Sequence, residues 1–180
     1  NMDEIERQVQ EYIKKHTTGD GKRTVITIPT VFHVVYRTSA ENISDAQIMS
    51  QLTVLNQDYS ATNSDIGNVP STFSGLVANA EVQFCLATQD PNGAATTGIT
   101  RKSTTVSSWG TNDSVKKSSQ GGVDPWNASN YLNIWVCNIG GGILGYAQFP
   151  GGSAATDGVV LDYRYTGTIG TATAPFNLGR

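Results

Sequence analysis

Residues 24–36, TVITIPTVFHVVY, constrain this chain more than any other stretch. β-Branched and aromatic side chains fill both the odd and the even positions of 31–36, so both faces of a strand built from them are apolar. Such a strand is stable only with a layer on each side, and the run predicts a central strand of a covered sheet. Residues 42–48, NISDAQI, then carry three helix-start signals. Ser44 is placed as N-cap, Gln47 closes a capping box three positions on, and Ile43 with Ile48 forms a hydrophobic staple. Ile48, Leu52, Leu55 and Tyr59 fall on one face of the helix that follows, which the polar run Asn63, Ser64, Asp65 and Gly67 ends.

Four more strands are predicted, over 80–88, 131–139, 145–149 (stopped by Pro150) and 158–165. The order strand, helix and four strands describes one mixed α/β sheet, whose short fourth strand suits an edge. Residues 89–129 read as a long polar connection with a helical turn near 115–119. Loops of that length in a compact domain tend to be functional or to carry short elements.

Charge is distributed unevenly. The first 23 residues hold 10 of the 27 charged side chains, and Ile5, Val9, Tyr12 and Ile13 recur there at helical spacing. Residues 1–23 therefore read as a leader helix and linker, the remnant of a propeptide, and 24–180 as the domain. In the whole chain 49 of 180 residues are Thr, Ser or Asn and the net charge is -3, with no basic stripe, which argues against a nucleic-acid partner. No stretch has the roughly 18 to 20 consecutive apolar residues of a membrane helix. The first ten residues, NMDEIERQVQ, lack the apolar core of a signal peptide, so an export signal is expected to have been removed upstream.

Most catalytic motifs fail on context. Gly140, Gly142 and Gly145 satisfy a dinucleotide spacing after a strand, but 146–150 cannot open the helix that would receive a pyrophosphate. Only two histidines are present, His16 in the charged leader and His33 inside the first strand, where it shares a face with Val31 and Val35 and reads as a hydrogen-bonded core residue. They cannot supply a three-ligand zinc site, and no nucleophile elbow is present. Cys85 and Cys137 fall in two different strands; if the first strand lies between them, they are about 9.6 Å apart across two strand spacings, beyond the roughly 7 Å limit for a disulfide. Both are expected to be buried free thiols. Asp157, Asp162, Glu81, Asp113 and Asp124 read as turn and surface carboxylates with no acid–base pairing.

Eight segments in order, IPTVFHVVY (28–36), ISDAQI (43–48), LNQDY (55–59), VQFCLA (82–87), TGITR (97–101), YLNIWVC (131–137), GYAQFPG (145–151) and FNLGR (176–180), resemble the pappalysin family of metzincin metalloendopeptidases, in particular its secreted bacterial branch. The resemblance implies an α/β (α+β) N-terminal upper subdomain: a twisted mixed five-stranded sheet with a backing helix and an antiparallel edge strand that rims the active-site cleft. Gly145, Tyr146 and Ala147 would lie on that rim and pair with an extended peptide substrate through main-chain hydrogen bonds. The cofactor implied is zinc, with calcium also allowed by the resemblance. The zinc ligands and general base would sit on a His-Glu-x-x-His helix beginning after Arg180, on a segment that could also be a companion polypeptide. No catalytic or metal-ligating residue is assigned within 1–180, and the chain alone should be inactive. The implied protein is a secreted zinc metalloendopeptidase.

Two other classes stay open at this point: a non-catalytic half-domain that captures peptides on its edge strand, and an adhesion or glycan-binding module suggested by Trp109 and Trp126. A half-domain would also expose an apolar sheet face.

Overall fold

The computed structural model describes residues 6, 7, 10, 11, 14, 24–149 and 151–179. The described leader residues are helical and exposed, with an Arg7–Glu11 ion pair across one turn. The leader's apolar positions, its linker, His16, Pro150 and Arg180 lie outside the described residues.

The central-strand expectation holds. Strand β1 (Ile26–Tyr36) has six consecutive buried residues, 30–35. It pairs in parallel with β4 (Leu132–Cys137) on one side. On its other side two short strands share one lane, β2 (Val82–Leu86) beside 26–30 and β3 (Ile99–Ser103) beside 32–36. Beyond β4 come β6 (Val159–Asp162), parallel, and then β5 (Gly145–Ala147), antiparallel at the edge. The sheet is thus mixed and five lanes wide, built from six strands.

The second lane depends on one turn. Phe32 N–H donates to Gly98 O and Ala87 N–H to Thr30 O, both at 2.9 Å, passing β1 from one short strand to the next. Gly98 has φ +71°, and a Cβ there would lie 2.7 Å from the Ala87 nitrogen, so no other residue fits. Sequence reading placed no strand at 99–103 because Arg101, Lys102 and Ser103 are exposed and give no apolar alternation. Arg101 nonetheless locks the lane to the helix, donating to Asn42 Oδ1 and the Ile43 carbonyl and pairing with Asp45.

Helix α1 (Asp45–Tyr59) begins as its sequence indicates. Ser44 Oγ accepts from Gln47 N–H at 3.2 Å, and Ile43 and Ile48 are both buried in one cluster. The reciprocal half of the capping box is not made. The Gln47 side chain turns instead into the 163–171 segment, its amide nitrogen donating to Tyr163 O, Thr166 O and Thr171 Oγ1 and its oxygen accepting from Thr171 N–H. Contacts with these three residues outweigh one local bond. A single turn, α2 (Ser71–Ser74), follows before β2.

Each face of the sheet has its own cover. α1 packs on the face of Phe32, Val34, Phe84, Ile134 and Val136. The opposite face, with Val35, Trp135, Cys137 and Val160, is covered by the long connection through Trp109 and Val115, with Val106 and Val123 packed against them. The polar stretch 89–129 is therefore half of the core's roof, with 3-10 turns at Ser114–Lys116 and Ser118–Gln120 where a helical turn was expected.

Candidate functional site

β5 is short, and its register with β6 decides which main-chain groups it presents. Gly145, Tyr146 and Ala147 stand opposite Leu161, Val160 and Val159. Asp162 N–H donates to Leu144 O at 2.9 Å. Antiparallel ladders alternate between bonded and non-bonded pairs, so Tyr146 is the next residue bonded to β6, and Gly145 and Ala147 turn their N–H and C=O groups outward. The three candidate residues are brought together on one lane at the sheet border. Gly145 also answers a packing demand, since a Cβ there would come within 2.7 Å of Val160 O. The other border is partly closed: Asn56 of α1 accepts from Phe84 N–H at 2.7 Å and donates to Phe84 O at 3.0 Å, pairing the main chain of β2.

Beside β5 the α1 face of the sheet runs into an open apolar groove of about 550 Å³. Leu55 and Tyr59 form one wall, Val82, Phe84, Ile134 and Leu161 the floor, and Leu144, Gly145, Tyr165 and Phe176 the far rim. The groove is thus an apolar part of the sheet face that α1 leaves open.

The described residues do not form a zinc site. Among the described residues no three His, Cys, Asp or Glu side chains converge. His33 is fully buried and both ring nitrogens are engaged: Nδ1 lies 2.7 Å from Thr100 Oγ1 and Nε2 3.1 Å from Asn133 Oδ1. Asn133 donates to Trp126 O and accepts from Trp126 N–H, which fixes its oxygen toward His33 and the His33 proton on Nε2. Burial, only partly offset by the Asn133 bond, lowers the imidazole pKa from 6.5 to about 4. Because the folded value lies below the unfolded one, the unfolded chain binds the extra proton first as pH falls. His33 should contribute full stability above pH 6.5 and lose it as pH drops toward 4, an effect of up to about 3 kcal/mol. Urea midpoints of the wild type and His33→Gln at pH 7 and pH 4.5 measure this; the difference in slope should be carried by the wild type.

Other expected sites need correction. Asp162 is not a surface carboxylate: it is fully buried, accepts from Ile139 N–H at 2.8 Å and pairs with Arg164 at 2.8 Å. Its role is to hold the turn after β4 against the end of β6. Asp113 is half-buried and pairs with Lys116 at 2.9 Å. Asp124, exposed as expected, bonds Ser118 N–H and Oγ, which holds its carboxyl below the usual range. Cys137 is buried, and its thiol pKa is pushed up by desolvation, whereas Cys85 is only half-buried; both are free. The dinucleotide spacing at 140–145 leads into β5, with no helix to receive a phosphate. Trp109 is 3% exposed and Trp126 half-buried, so neither is the exposed platform an adhesion module needs.

Sequence reading missed Lys116, which lies behind β5 and is 1% exposed. The signal available was indirect: Trp109, Val115, Val123 and Trp126 punctuate the polar connection with apolar anchors, marking 104–126 as packed chain.

No protein-family profile matches the chain. It is 31% identical over 173 residues to an extracellular metalloprotease of Pyricularia oryzae, covering 88% of this chain and 47% of that protein. Mature mirolysin of Tannerella forsythia, solved in complex with a cleaved peptide, is 50% identical with a TM-score of 0.84, over 88% of this chain and 60% of that one. A promirolysin mutant from the same organism is 47% identical with a TM-score of 0.84, over 96% of this chain and 57% of that one. The chain spans about half the length of the curated relative it matches. Along most of its length, then, it shares the metzincin-like α/β fold of mirolysin and is similar in sequence to one part of known metalloproteases.

Proposed function

We propose that this chain is the upper, N-terminal part of a secreted zinc metalloendopeptidase of the pappalysin type, in which Gly145, Tyr146 and Ala147 align an extended peptide. The observation that carries the reading is the edge of β5, with outward main-chain groups at Gly145 and Ala147, in a chain half identical to a mirolysin solved with a cleaved peptide. A peptide added antiparallel to this edge would gain main-chain hydrogen bonds that are independent of its side chains. Zinc, when bound by a segment C-terminal to Arg180, would supply the Lewis acid; the residues of this chain contribute alignment and support.

The leader fits a pro-segment. Residues 24–180 are 157 of 180, about 87% of the chain. Coverage is 87–88% against two mirolysin structures, one of them the mature form, and rises to 96% against promirolysin. On this reading residues 1–23 are the remnant of a propeptide and 24–180 the domain.

The reading is tested with the longest polypeptide that carries this sequence, incubated with an unfolded protein substrate. Cleavage abolished by a chelator and restored by added zinc is the expected result, with residues 1–180 alone giving no turnover. Cleavage that survives chelation, or a complete polypeptide that binds peptides without cutting them, would overturn it.

A further inference from the structure

β5 has three residues, one neighbouring strand and, at Gly145 and Ala147, almost no side chain with which to hold itself in place. Strands this short are marginal without an external anchor. The anchor lies on the opposite face. The Tyr146 ring packs there over Lys116, with Nζ 5.2 Å from its centroid. The same ammonium pairs with Asp113 at 2.9 Å, donates to Thr156 O at 2.6 Å and sits 5.4 Å from the Trp135 ring. One buried cation therefore joins the 113–116 turn, the β5–β6 connection, β5 itself and β4. An apolar side chain would fill the space at lower desolvation cost, but it would give up the ion pair to Asp113, the hydrogen bond to Thr156 O and the attraction of the charge to both rings.

We propose that Lys116, paired with Asp113, is a positioning residue for β5: it clamps the β5–β6 hairpin from behind so that the outward main-chain groups of Gly145 and Ala147 are held ready for an extended peptide. The clamp itself stands on the contacts around Lys116, and its use rests on the reading of β5 as the peptide-aligning edge.

The test compares amide exchange and peptidase kinetics of the longest polypeptide with those of Lys116→Met. Exchange at Tyr146, Val160 and Asp162 should accelerate about 10-fold or more while β1 and β4 amides keep their wild-type rates, since local opening is separable from global unfolding. KM should rise about 10-fold with kcat within about twofold, as expected when substrate binding alone is lost. If Lys116→Met does not fold, Asp113→Asn at the half-buried carboxylate should shift both readouts in the same direction by a smaller factor. Unchanged hairpin exchange, or a proportional rise at every amide, would overturn the clamp. Hairpin loosening with KM unchanged would overturn its positioning role. A wild type that neither binds nor cleaves peptides would sink the reading of β5 instead, leaving the exchange pattern to decide the clamp.

Discussion

Replacing Trp135 with alanine is expected to destabilise the protein by about 4 kcal/mol or more, the range for truncating a buried tryptophan. Trp135 lies in the middle of β4, fully buried, and its indole N–H donates to Val123 O at 2.8 Å. Its ring centre lies 5.3 Å from that of His33 and 5.4 Å from Lys116 Nζ. Truncation would open a cavity under the 104–126 cover and strand the Val123 carbonyl, and both effects act in the same direction. For a chain of this size the melting temperature should fall by roughly 10 to 15 °C. Trp135→Phe should lose much less. Calorimetry of the three proteins measures the effect, and a drop below a few degrees for Trp135→Ala would mean that the long connection does not close the core.

Ala147→Pro should lower kcat/KM for peptide cleavage by the longest polypeptide about 10-fold, the worth of one main-chain hydrogen bond in a water-poor cleft. Proline removes the outward N–H of residue 147 and leaves the bonds of Tyr146 to β6 in place. Tyr146→Pro supplies the contrast, because it removes an inward donor and should loosen the hairpin as well. If Ala147→Pro cleaves as fast as wild type while Tyr146→Pro does not, the hairpin matters as scaffold and its outer edge binds nothing.

The elements most legible in the sequence are those set by local pattern. β1 follows from six contiguous apolar positions with a single histidine among them, and α1 from its cap, staple and 3.6-residue periodicity. What escaped depends on tertiary partners. β3 carries two charged residues among its five and is a strand only because the turn at Gly98 lays it along β1. Asp162 and Lys116 look like solvated charges in sequence; each has a counter-ion two or three residues away, but the groups that enclose them are distant, Ile139 N–H for Asp162 and Thr156 O with the Trp135 and Tyr146 rings for Lys116. Gln47 fits a capping box equally well on paper, yet the 163–171 segment offers it more bonds. β5 and β6 are shorter than their apolar runs, since pairing ends where the partner strand ends. The candidate site itself was visible as a Gly-flanked, Pro-terminated short strand, while the residues that steady it were not.

Hydrogen exchange at the outer edge of β5 tests the central claim most directly. With a saturating extended peptide bound to the longest polypeptide, the account predicts slowed exchange at the Gly145 and Ala147 amides, which face outward, and little change at Tyr146, which is already paired to β6. Peptide binding that leaves the Gly145 and Ala147 amides exchanging freely would contradict it.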